Sequence, residues 1–184
     1  MNYYGAKDLA AAFRTVRKNT IVIAEEIGEE HYNFRPAPGS RSVAETLIHI
    51  AVVPQFAHYL HGTAHISDLS QVNFMEIVGP RMALEKTPHT KAQILTMLHE
   101  EGDKFAGWLD TVSDELLAET VAMPPRGEGP SHKTRFEMLL GPKEHEMHHR
   151  AQLMVIERIL GITPHLTRQI EARMAAMQSA KAAS

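Results

Sequence analysis

"KEHEMHHRAQL", residues 143–153, puts three histidines within five positions of a stretch that otherwise has the spacing of an amphipathic helix. At about 100° per residue, His145 and His149 project from nearly the same side, one turn apart. Met138, Leu153, Ile156 and Leu160 share that side, which reads as the core-facing stripe, while Lys143, Glu146, Arg150 and Glu157 fall together on the expected solvent face. His148 sits off to the side, near Val155 and Ile159. One buried neutral imidazole is readily satisfied by a hydrogen bond. Two stacked on an apolar stripe are harder to satisfy that way, whereas a divalent cation takes a lone pair from each.

Working outward, the helix carrying this stretch is predicted from Thr134, with Glu137 closing a capping box, to Leu160, with Gly161 as its left-handed cap. Gly141-Pro142 lies inside it, where a proline should bend the helix one turn before His145. A first helix is predicted from Tyr4 to Ile27, and a second from Ser42, boxed by Glu45, toward Leu60, kinked at Pro54 and ended by Gly62. A third begins at Thr90 with Gln93 as box partner and buries Ile94, Leu98, Phe105, Trp108 and Leu109. A shorter fifth opens with Thr163-Pro164 and should bury Leu166, Ile170 and Met174. Residues 63–89 read as a long connection with a short helix near 74–78, residues 122–133 read as loop, and no segment alternates like a strand. The expectation is an all-α, four-helix bundle with an additional C-terminal helix, one domain over residues 1–184.

Composition narrows the function. The 184-residue chain has no cysteine and 12 histidines, so any transition metal must use nitrogen and oxygen ligands. A net charge of −3 with scattered Lys and Arg argues against nucleic acid. No apolar run approaches the roughly 20 residues that cross a bilayer, and "MNYYGAKDLA" has no secretion signal, so the expected home is the cytoplasm, away from any membrane. The ten methionines read as core filler.

Two ligands rarely make a tight site, and the second helix offers a third. Between Val43 and Val53 only Glu45, Thr46 and His49 are not plainly apolar, and they share one strip. That strip continues through Val52, Val53, Phe56 and Leu60, so it should face the bundle interior, with His49 at a depth to meet His145 and His149. Taken alone, His49 is as readily a hydrogen-bonded core histidine. Glu45 and Thr46 flank His49 and are placed to orient ligands or carry a proton, although Glu45 is also the box partner of Ser42. His58, His61 and His65 read as surface or pocket-rim residues, and His31, His89, His99, His132 and His165 as loop or helix-end residues.

"RSVAETLIHIA" (41–51) together with "HEMHHRAQL" (145–153) resembles the DinB-like superfamily of damage-inducible, metal-binding four-helix bundles. "NFRPAPGSRSV" (33–43) and "ILGITP" (159–164) fit the same pattern. The resemblance implies one divalent metal ion (zinc, nickel or iron) held by one histidine on the second helix and the H-x-x-x-H pair on the last long one. These map onto His49, His145 and His149. It also implies homodimers, and relatives that transfer or isomerise small molecules with a low-molecular-weight thiol. Three protein ligands leave a position open for water or substrate, so a thiol S-transferase or hydrolase acting on a small molecule is one expectation. A non-catalytic metal-binding sensor or stress protein is the other. A ferritin-like di-iron bundle needs a Glu-x-x-His motif on each of two helices, and only Glu146 to His149 supplies one.

Overall fold

Helix starts are set locally. In the computed structural model, which describes residues 4–125 and 129–182, three of the long helices begin at the expected boxes. Ser42 Oγ accepts from Glu45 N–H at 3.2 Å while the Glu45 carboxylate accepts from Ser42 N–H at 2.9 Å. Thr90 with Gln93 and Thr134 with Glu137 repeat the exchange. Each satisfies two N–H groups that a helix end leaves unpaired. The elements are α1 (Ala6–Glu26), α2 (Val43–His58), α3 (Phe74–Glu85), α4 (Lys91–Leu109), α5 (Asp114–Ala118), α6 (Arg135–Ile159) and α7 (His165–Ala182). α4 and α6 each pack against both α1 and α2, which makes the four-helix bundle, and α3 lies against α2. Gly161, at φ +80°, ends α6 while Ile162 N–H bonds Glu157 O and Gly161 N–H bonds Arg158 O.

The interior is divided. One apolar cluster gathers Ile23, Ile27, Leu47, Ile48, Ile94, Leu98, Leu153 and their neighbours, and a second gathers Leu9, Phe13, Phe105, Leu109 and Leu139. Apart from these clusters, Arg17, Pro54, Gly102 and Glu146, one on each of the four helices, meet around the Arg17 side chain. Pro54 has no N–H for the carbonyl of Ile50, and Arg17 Nη2 donates to that oxygen at 3.1 Å. Arg17 Nη1 donates to Leu98 O at 2.7 Å, and Nε reaches both Glu146 carboxylate oxygens at 3.0 and 3.1 Å. Gly102 makes the room: a Cβ there would stand 2.9 Å from Arg17 Cγ. One side chain thus ties four helices at mid-height.

The structure corrects several expectations. Glu146 and Glu157, placed on a wet face, are 1% and 0% exposed, and Arg150 is half-buried. α6 is enclosed by α1 as well as α2, so the charged side of the helix meets a neighbour instead of water. Glu146 is spent on Arg17, and the di-iron reading gains nothing from it. Both carboxylate oxygens of Glu157 lack a partner among the described residues, and burial, with nearby Glu26, pushes its carboxyl up to about 7. Gly62 does not end the second helix. The chain continues as a π turn (Tyr59–Thr63) in which a Cβ on Gly62 would meet His58 and Trp108 at 2.6 and 2.7 Å. His61, expected near the surface, is 2% exposed and accepts at Nδ1 from Arg135 Nη1 at 3.0 Å. Trp108, expected in the core, is only half-buried.

The connection after residue 63 holds a twelve-residue α3, longer than expected, although Phe74, Met75 and Met82 on it are exposed. The region read as loop contributes a hairpin, β1 (Thr120–Ala122) antiparallel to β2 (His132–Thr134), each strand too short to show alternation. Residues 126–128 of that region lie outside the described residues. α7 rests on α1 only at its start, through His165 with Asn19 and Arg168 with Glu26. Ile170 and Met174, expected on its buried side, are therefore 59% and 55% exposed. α6 runs unbroken through Pro142. No described helix is long and apolar enough to cross a membrane.

Candidate metal centre

The three predicted imidazoles meet. His49, on the strip of α2 that faces α6, brings Nε2 to 3.0 Å from His145 Nε2, and His149 Nε2 stands 3.2 Å from the same atom. Among the described residues they are the group of histidines and acids placed to hold a metal ion, with ligand atoms all within 4.8 Å. The i, i+4 spacing on α6 stacks His145 and His149, and the core side of α2 supplies the third ring. The helices on either side are held to each other by Arg17 through Ile50 O and Glu146, the residues next to His49 and His145.

The outer nitrogens of His49 and His149 fix which way those two rings are protonated. His49 Nδ1 lies 2.7 Å from the Glu85 carboxylate, which only accepts, so Nδ1 carries the proton and Nε2 presents its lone pair. Glu85 is itself 6% exposed and takes Arg41 Nε at 2.8 Å on its other oxygen. His149 Nδ1 donates to Gln152 Oε1 at 2.8 Å, which turns its Nε2 lone pair inward too. The buried Nδ1 of His145 has no partner among the described residues.

Burial pushes all three imidazoles below the ordinary histidine value, His145 to about 4 with its histidine neighbours adding to the effect. Glu85 opposes that shift at His49, as Gln152 does at His149. At neutral pH the cluster is three neutral rings. Converging lone pairs repel unless a proton or a cation sits among them. Nitrogens around a tetrahedral cation at about 2.0–2.1 Å would stand about 3.3 Å apart, close to the 3.0 and 3.2 Å that separate His145 Nε2 from the other two. The donor set fits a divalent ion.

Neighbouring candidates do other work. Glu45 binds Arg35 in a fork at 2.6 and 2.8 Å and Lys86 at 3.1 Å, and the Arg35 guanidinium foremost holds it down to about 2. Thr46 Oγ donates to Ser42 O at 2.8 Å and also lines the cleft beside the histidines. His148 is exposed and accepts from Gln152 at 3.1 Å, outside the cluster. Two residues escaped sequence reasoning. Gln152 was within reach of it, three positions after His149 on one helix face. Glu85 gave no signal, because nothing local says where the end of a long connection will lie. The cleft, of about 790 Å³, is bordered by His149, Thr46, Glu85 and Arg41.

Comparison with known proteins gives the family and the fold. The sequence model of the DinB superfamily matches residues 12–153. No curated protein is significantly similar in sequence. Among solved structures, a DinB-like protein from Bacillus subtilis is 23% identical, with a TM-score of 0.60 over 84% of this chain and 93% of its own. YfiT from Bacillus subtilis, described as a probable metal-dependent hydrolase with an unusual four-helix bundle topology, is 16% identical. It superposes at a TM-score of 0.67 over 89% of this chain and 91% of its own. A Streptococcus pneumoniae protein is 14% identical, with a TM-score of 0.64 over 86% and 93% of the two chains.

Proposed function

The chain belongs to the DinB superfamily, and from that footing we propose that it is a metal-dependent enzyme of the hydrolase or thiol S-transferase type. Its site is His49, His145 and His149, and its substrate is a small molecule. The observation that carries this reading is the convergence of three Nε2 atoms beside an open cleft, with the outer nitrogens of His49 and His149 already committed to Glu85 and Gln152. A divalent ion held there supplies a water with its pKa lowered toward 7, or a deprotonated thiol. The protein's own part is to keep the rings neutral by burial, to hold His49 in one tautomer through Glu85, and to leave one side of the cluster facing the cleft. With no cysteine in the chain, the nucleophile enters from outside.

Elemental analysis of protein purified without added metal tests this directly. About one ion per chain is expected in the native protein, and a large loss in each of His49→Ala, His145→Ala and His149→Ala. Full metal retention in any of the three would remove that residue from the site. Turnover in a screen of small thiols against electrophiles, and of hydrolysable amides and esters, should vanish on chelation and return with the metal. A metal-loaded protein inert throughout would favour a non-catalytic bundle.

A further inference from the structure

The cleft beside His149 has two kinds of wall. Met82, Val155 and Ile156 line it with apolar surface, and Arg41 and Lys86 line it with cationic groups. Arg41 is anchored through a single nitrogen, Nε, on Glu85. Among the described residues its Nη1 and Nη2 make no hydrogen bond, and the side chain is 38% exposed. A guanidinium held at Nε with its far edge open is a fork preset for a planar anion. Lys86 spends one bond on Glu45 and leaves its ammonium largely in solvent, 69% exposed. Among the lining residues Arg41 and Lys86 stand against Glu85. That leaves one positive charge in excess, in a chain whose net charge is −3.

We propose that this wall is a subsite for a carboxylate, and that the substrate is a small monoanion whose aliphatic part lies along Met82, Val155 and Ile156. The planar fork left open at Arg41 Nη1 and Nη2 matches the two oxygens of a carboxylate. The proposal deepens the enzymatic reading and rests on it only for what happens to the far end of the molecule. Arg41 is the specificity-determining residue, and Lys86 adds a longer-range attraction. Because Arg41 and His49 share Glu85, recognition of the anion and orientation of the metal ligand are joined through one carboxylate.

Calorimetric titration of the chelator-treated full-length chain with hexanoate and with hexanamide, matched in length and differing in charge, tests it without any metal. Hexanoate should bind at least about tenfold more tightly than hexanamide. Arg41→Gln should erase most of that preference while leaving hexanamide unchanged, and Arg41→Lys should restore part of it. Equal affinity for the two probes, no binding of either, or a preference that survives Arg41→Gln would overturn the proposal. Should Arg41→Gln fail to fold, Lys86→Gln decides: a reduced preference supports the subsite and an undiminished one counts against it. Since the metal is absent throughout, failure of the metal reading leaves this result standing, and the metal content of each variant reports on that reading separately.

Discussion

Two polar clusters occupy neighbouring turns of α6 and face different partners. Toward α1, Glu146 is fully engaged: both its oxygens receive Arg17 Nε, and the other two Arg17 nitrogens end on backbone carbonyls of α2 and α4. Toward α2, the Nε2 atoms of His49, His145 and His149 point at one another, and the buried Nδ1 of His145 has no partner among the described residues. The first cluster is sealed in the bundle, while His49 and His145 are only partly buried beside the cleft. A buried network that satisfies itself holds helices in place, whereas one that is short of a positive charge is waiting for something to bring it.

That contrast breaks most readily at Arg17. Arg17→Met would leave Glu146 buried without its counter-charge and is expected to cost about 3–5 kcal/mol in urea unfolding. The double change with Glu146→Leu should recover most of this, and a single change costing under about 1 kcal/mol would mean the pair is not what ties the bundle. Next in size, Glu85→Gln replaces the carboxylate that holds His49 Nδ1. Zinc affinity, measured by competition with a fluorescent chelator, should fall about 10–100-fold. Unchanged affinity would show that His49 does not depend on its outer hydrogen bond.

Glu157 sharpens the comparison from a third side, as a buried carboxylate with no hydrogen-bond partner among the described residues. Its folded value near 7 lies above the ordinary 4.5, so the folded state holds its proton more tightly than the unfolded chain does. The stability this contributes is fully present below pH 4.5 and is lost as pH rises through about 7. Glu26 from α1, Arg168 from α7 and Arg158 on α6 itself face it, and the two arginines oppose the shift. Glu157→Gln should therefore raise the melting temperature more at pH 8 than at pH 5, by about 2–4 °C. A pH-independent difference would place the proton elsewhere. The smallest effect is expected in chelator-treated His145→Ala, whose unfolding free energy should stay within about 1 kcal/mol of the native protein. A loss as large as that of Arg17→Met would mean the histidines, too, are structural.

What could be read in the sequence follows how local each signal is. Ser42, Thr90 and Thr134 announced their helices because a capping box is complete within four residues. His49, His145 and His149 could be brought together because each interrupts an otherwise apolar strip, and strips of that kind must face one another. Glu146 and Glu157 were misplaced by the assumption that a helix has one dry side, while α6 is covered by α1 as well as α2. Ile170 and Met174 form a proper helical stripe, but α7 leaves the bundle after its first turn, and periodicity carries no information about where a helix goes. Glu85 reaches His49 only because α3 folds back along α2 from the far end of a long connection.

Pro54, Gly102 and Arg17 form a lock with three keys on three helices. Restoring an N–H at position 54 would make Arg17 share the Ile50 carbonyl with its own helix, while any side chain at 102 would press on the guanidinium stem. Substitutions at these positions are therefore coupled, each benign or damaging according to what occupies the other two. Anyone reshaping the bundle for a new ligand can vary Met82 and Val155 on the cleft wall, but must carry this trio over intact or exchange it as a unit.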